Sequence, residues 1–416
     1  MKILGLFLVC CMAGMNASAR AQRAEQPAPN NGTQSLIDPR VLDLSDGIMR
    51  RNNQTELSEA YLPIISNSSH APNLLRLRNG DVLCFWFTGT WEGESGDAVV
   101  MSRLKKGAHR WTVPQVIDRK EGFAYMNPVA MQDGSGVIHL YHTDVPANGG
   151  QDTTHLLDLT SVDNGKTWST PQKFPTRSGV FTGHSPVSID RDTWLLPLSY
   201  QTGHGGAMFS DVQRTSNAGT FWVTCTIPGS EGKTQPSLVI LGQKRFVAYF
   251  RSHKADSIYS SISADGCHWS LPQATELPNN NSSIEGRRLR NGHIIMVFDN
   301  SGVDRSDPKV EGELRKPLTV AISENEGLTW RYVRDLEVGR KGMGMAELQI
   351  KVPGREEYSF PTICQLEDGT ILVAYNYRRQ TIKVVAFREN WVHGGGTVGR
   401  FQGRTAITTP SSLHSP

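Results

Sequence analysis
The sequence lacks the marks of several large functional classes. Beyond the N-terminus no stretch reaches 18 apolar residues, so no membrane-spanning helix is expected. The four cysteines outside that apolar start, Cys84, Cys225, Cys267 and Cys364, form no C-x-x-C pair, which excludes the common zinc spacings. His184 and His204 have no metal-ligand partner at regular spacing. There is no P-loop, and Ser185 is not in a nucleophile elbow. Neither a cofactor nor a metal is therefore expected. Charge of one sign is also scarce. Lys plus Arg number 43 against 40 Asp plus Glu, a net charge of +3 with no basic stripe, which argues against a nucleic-acid surface. Helical periodicity of useful length is missing throughout.

What the chain does have is turn chemistry. Among 416 residues there are 40 Gly and 22 Pro, with 38% hydrophobic and 8% aromatic residues, a composition of many short strands. Lys2 precedes the apolar run from Ile3 to Ala13, and small residues follow through Ala19 and Ala21. This pattern predicts a signal peptide over residues 1–21 and a secreted or periplasmic protein. Residues 22–45 read as a flexible leader and 394–416 as a disordered tail. Three of the remaining cysteines sit in strand-like text and read as buried thiols; one disulfide is compatible with the sequence, its pairing not deducible.

The middle of the chain repeats. Ser161-Val-Asp163-Asn-Gly165-Lys-Thr167-Trp168 recurs as Thr215 to Trp222 and as Ser323 to Trp330, with a degenerate copy from Ile262 to Trp269. The Asp or Asn accepts turn N–H groups, the Gly takes positive φ, and the Trp is expected to pack back on its own hairpin. Gly107 and Trp111 read as the remnant of a first copy, and Trp391 as the end of a last one. Upstream of these turns, Asn79-Gly80, Asn291-Gly292 and Asp368-Gly369 join pairs of apolar strands, the strongest short hairpin signal. Each unit then holds two hairpins. Tryptophans 111, 168, 222, 269, 330 and 391 count six units, which predicts an all-β, six-bladed β-propeller over residues 46–393.

The Ser-x-Asp-x-Gly-x-Thr-Trp frame resembles the Asp-box, or BNR repeat, of the sialidase (neuraminidase) superfamily. The resemblance covers roughly residues 60 to 391. Within the superfamily the sequence is most similar to a predicted neuraminidase-like bacterial branch, through Pro278-Asn-Asn-Asn-Ser282, Glu357-Tyr-Ser359 and Tyr377-Arg-Arg379. It implies a propeller whose Asp-boxes are structural turns, so Asp163 receives no catalytic role. It also implies a site of three arginines, a Tyr nucleophile with its Glu, and an Asp acid/base.

Carried over position by position, Tyr358 falls where the nucleophile belongs and Asp97 where the acid/base belongs. Arg251 and Arg315 match the second and third arginines, while His70 stands in place of the first. Gln235 stands in place of the glutamate, so either Glu357 or Glu285 replaces that base, or Arg251 and Arg315 lower the Tyr358 pKa, or Tyr358 is not a nucleophile. A histidine cannot copy the guanidinium fork, and glutamine cannot take a tyrosine's proton. Of Arg378 and Arg379, alternation along a strand lets only one face inward, and Arg379 is the chosen one. Trp86 and Trp91 are expected either to stack on a sugar face or to cap the first blade.

The expected activity is an exo-acting glycoside hydrolase that releases a terminal acidic sugar from extracellular glycans. Two alternatives remain beside it. One is a polysaccharide lyase, or a uronate- or rhamnose-directed hydrolase, using a Tyr–His pair. The other is a non-catalytic glycan-binding propeller, motivated by the missing Arg and Glu. The expected partner is a glycan; oligomeric state is not legible.

Overall fold
A computed structural model describes residues 37–242, 245–302, 315–339 and 356–403. The predicted signal peptide lies outside the described residues. Among the described residues, twenty-six strands form six antiparallel sheets. Blades 1 to 5 occupy residues 68–118, 123–173, 180–226, 233–278 and 285–337, each built from consecutive strands. In every blade the first strand is innermost, lining the propeller axis.

Blade 6 differs from the expected two hairpins. Tyr358–Gln365, Ile371–Tyr377 and Thr381–Phe387 supply its three inner strands, and Ser58–Tyr61 from the N-terminal side adds the fourth. Pairing the two ends of the chain closes the ring without a free edge there. Trp391 therefore ends no hairpin. It lies in a short helix, Glu389–His393, and its indole N–H donates to the Thr55 carbonyl oxygen at 2.8 Å.

Two expected boundaries of the propeller move outward. Pro39–Leu44 form a helix with Val41 buried, so the leader is ordered before residue 45. Residues 394–403, expected as tail, are described, and Phe401 N–H donates to the Asn300 side chain at 2.7 Å.

The core is divided into one apolar layer per blade boundary, because each half-buried sheet covers the next. Ala60, Leu74, Trp86, Cys364 and Val384 join blades 6 and 1; Leu195, Cys225, Phe250 and Trp269 join blades 3 and 4. The Asp-box tryptophans serve this layer, a correction to packing on their own hairpins alone. Trp168 meets Phe85 of blade 1 edge-on at 5.8 Å, and Trp330 meets Tyr249 of blade 4 at 6.2 Å. The box itself is as expected. Asp163 accepts the N–H groups of Lys166 and Thr167 at 3.0 and 2.9 Å, and Gly165 has φ +78°. Cys225 and Cys267 form a disulfide from the outer strand of blade 3 to the box turn of blade 4, while Cys84 and Cys364 are buried thiols.

Strand direction sorts the loops. The Asp-boxes and the hairpins joining first to second strands lie at one end of the ring. The starts of the innermost strands and the connections from second to third strands lie at the other.

Candidate functional site
The second end gathers most of the sequence candidates, and a recurring backbone device sets it up. Ala71, Asn127, Gln235 and Phe360 have φ of +49°, +51°, +50° and +53°, and each precedes a proline. At each one the pairing of the innermost strand shifts register. The innermost strand is an edge facing the channel, so a proline there forfeits no ladder bond. The bulge turns the strand start toward the mouth of the axis. Non-glycine residues in this region are strained and cluster at functional sites.

Blades 5, 6 and 1 build a buried ionic hub around Glu357. Its carboxylate accepts Arg315 Nη1 at 2.8 Å, Arg379 Nε at 2.8 Å, Ser359 Oγ at 2.7 Å and Asn376 Nδ2 at 3.1 Å. Arg379 also pairs with Glu92, and its guanidinium lies over the Trp91 ring, 5.3 Å from the centroid. Arg379 is held by a turn rather than a strand, since both it and Arg378 have left-handed φ. Arg378 points elsewhere, to Asp38 at 2.9 Å.

His70 sits fully buried beside this hub, with Nε2 3.9 Å from Glu92 and its ring 4.4 Å from that of Phe360. Burial, with the nearby Arg379 and Arg315, drives His70 down to about 3 against the pull of Glu92 and Glu357. It is a neutral imidazole at working pH and not a substitute cation, and neither ring nitrogen has a hydrogen-bond partner among the described residues. Burial works against ionisation of Glu92, but His70, Arg379 and Arg315 outweigh it and pull the carboxyl down to about 2.

Asp97 closes the same loop that carries Glu92. Its Oδ2 accepts the Gly93 N–H at 2.9 Å, while its buried Oδ1 has no hydrogen-bond partner. Gly89 faces this carboxyl so closely that a Cβ there would overlap Oδ1. Burial pushes Asp97 up to about 7, Glu92 and Glu94 adding to the effect and the Gly93 N–H opposing it. The result is a carboxylic acid that keeps a transferable proton near neutrality.

A second cluster lies on blade 4 at the same end. Arg251 Nη1 donates to Gln235 Oε1 at 3.2 Å, and Nε donates to Asn281 Oδ1 at 2.8 Å.

Tyr358 is not in this arrangement. Glu357 and Tyr358 are neighbours on an extended segment, and their side chains take opposite faces. Tyr358 packs with Tyr377 at 5.3 Å and lines a separate cavity of about 410 Å³ with Tyr61, Glu337 and Glu356. Burial, Glu337 and Tyr377 raise its pKa, the reverse of what a nucleophile needs. Neither expected replacement base attends it: Glu357 serves the hub, and Glu285 lies inside the channel, accepting Ile363 N–H at 3.2 Å. Trp86 is core between blades 6 and 1, not a sugar platform.

Sequence reasoning missed Glu92, Ser359 and Asn376. The signal within reach was the recurring x-Pro of the innermost strands, at Pro72, Pro128, Pro186, Pro236 and Pro361, which marks where each blade reaches the axis mouth. Among the described residues no group of His, Cys, Asp and Glu could hold a metal ion.

Fold and site together define a sialidase-like β-propeller. The BNR repeat-like domain matches residues 80–373, and the chain belongs to that family. A Hadza microbial sialidase superposes with a TM-score of 0.65 at 14% identity, covering 79% of this chain and 67% of that one. The intramolecular trans-sialidase from Ruminococcus gnavus gives 0.62 at 14% identity, covering 79% and 96%. A protein of unknown function from Dyadobacter fermentans gives 0.61 at 15% identity, covering 82% and 97%. At these identities the likeness carries the fold. No curated protein sequence matches the chain.

Proposed function
We propose that this protein is a glycoside hydrolase that releases a terminal acidic sugar from glycans, with Asp97 as the proton donor. The observation that carries the reading is the buried Asp97 carboxyl, pushed up to about 7 in the loop that also reaches the arginine hub. Such an acid can protonate a glycosidic oxygen as the bond breaks. Arg251, whose guanidinium donates to the amide oxygens of Gln235 and Asn281, is a further guanidinium at this end for a sugar carboxylate. Glu357 and Glu92 already pair with Arg315 and Arg379, so those two arginines shape the pocket more than they attract an anion. The Cys225–Cys267 bridge supports an oxidising compartment, secreted or periplasmic. Among the described residues no helix is long and apolar enough to cross a membrane.

One observation favours a second reading. Tyr358 faces away from the hub and Gln235 replaces the expected glutamate, as in a glycan-binding propeller without turnover. The lyase reading loses its Tyr–His pair, because Tyr358 and His70 do not meet. Wild-type protein incubated with aryl glycosides of sialic acid, uronic acids and neutral sugars separates the readings. Release of one acidic sugar without an unsaturated product supports hydrolysis. Saturable glycan binding with no release across the panel would replace it by the binding reading.

A further inference from the structure
The opposite mouth of the axial channel has a chemistry of its own. The last residue of each innermost strand pairs with the first residue of the second strand, giving six equivalent positions around the axis: Arg76, Gln132, Ser188, Ile240, Arg288 and Gln365. Five of them line one cavity of about 330 Å³, joined there by Arg287 and Arg290. A neighbouring cavity of about 260 Å³ shares Arg287, Arg288, Ser185 and Ser188 and continues inward to Glu285.

Among the described residues, two of the four arginines here, Arg288 and Arg290, have no ion pair. Arg287 donates to the Ile363 carbonyl oxygen at 2.5 Å, with Glu285 only at 3.8 Å. Arg290 donates to the Glu367 carbonyl oxygen at 2.5 Å and, among the described residues, has no ion pair. A carbonyl satisfies an N–H but leaves the charge. Arg288 is exposed and has no ion pair among the described residues. Only Arg76 meets a rim carboxylate, Glu367, which Lys106 shares. Gln365 takes the Arg290 backbone N–H on its oxygen at 2.9 Å, leaving its amide N–H groups as donors. Guanidinium forks and amide donors converging on one concave site suit a tetrahedral oxyanion.

We propose that this mouth binds a sulfate or phosphate group, free or carried on a sugar, between Arg288 and Arg76 with Arg290 and Gln365 as further donors. It is a site separate from the Glu357 hub at the other end.

Titration calorimetry of the full chain with sodium sulfate, at ionic strength held constant with sodium chloride, tests this. Wild type is expected to bind saturably, and Arg288→Gln to weaken binding by about tenfold or more, the loss of one charge-assisted contact. Arg76→Gln with Arg288→Gln should abolish it. Arg288 is exposed, so the variant should keep the wild-type melting temperature in chloride alone. A sulfated disaccharide binding more tightly than inorganic sulfate supports a sugar-borne group; equal affinity supports a free anion. No saturable sulfate response in wild type, or the same affinity in Arg288→Gln, would overturn the proposal. Because the readout is binding at the far mouth, failure here leaves the hydrolase reading untouched, and the reverse holds too.

Discussion
The two ends of the propeller are built from the same strands and solve opposite problems. At the Asp-box end, turns are short and regular, and the Asp of each box accepts N–H groups no more than four residues away. At the other end, left-handed residues before prolines aim strand starts at the axis, and partners come from far apart in the chain. Arg379 and Glu92 are 287 residues apart, and Arg315 and Glu357 are 42 apart. The first end holds the fold. The second is held by the fold, which is where strain and buried charge are expected to serve function.

The sharpest way to break this contrast is to cut the hub. Glu357→Ala should leave two buried guanidinium groups without their shared partner and cost about 3–5 kcal/mol in denaturant unfolding. Unchanged stability would mean that the hub is not the anchor of its end. At the Asp-box end the largest effect belongs to the one covalent link. Replacing Cys225 and Cys267 by Ser frees a loop of 42 residues' separation and should cost about 3–4 kcal/mol by the same measurement.

Two aspartates, Asp97 at one end and Asp163 at the other, should respond to pH with opposite sign. Asp97 is raised to about 7 when folded and ionises near ~3.9 when unfolded, so the folded state holds the extra proton between these values. Its contribution falls as pH rises from about 4 to about 7 and is level above that. Asp97→Asn should remove this slope. Asp158, half-buried and also raised to about 7 by desolvation, contributes the same way, so Asp158→Asn is the control that separates the two. Asp163 behaves oppositely. Hydrogen bonds from the Thr167 hydroxyl and N–H hold it well below the usual carboxylate range. Its contribution is present above about 3.9 and is lost as pH falls below that. Asp163→Ala should give the smallest change of the set, a lower melting temperature at neutral pH that vanishes in acid. A loss equal to that of Glu357→Ala would erase the contrast between the ends.

The Asp-box end was legible in the sequence because its signals are local. Ser161 to Trp168 contains the hydrogen-bond partners of Asp163, and repetition gave the blade count. The exception was blade 6, where Trp391 sits near the right spacing but Ser58–Tyr61 supplies the closing strand. Nothing within residues 358–391 signals a partner more than 300 residues earlier. The hub was only partly legible. His70, Arg315, Glu357 and Arg379 were all candidates, yet their grouping depends on which way each strand start turns. A one-residue shift of facing exchanges Tyr358 for Glu357, and that exchange came from bulges whose only trace in the sequence is a proline. Glu92 was missed because it lies in a loop of carboxylates, where position, not residue type, decides the role.

The account turns on which face of that strand meets the substrate. Side-by-side turnover of Tyr358→Phe and Asp97→Asn, on the acidic glycoside that wild type cleaves, asks this directly. The account predicts that Tyr358→Phe keeps turnover within a few fold, while Asp97→Asn loses about 10²-fold or more, the usual share of a general acid. Loss of turnover in Tyr358→Phe with full activity in Asp97→Asn would contradict it.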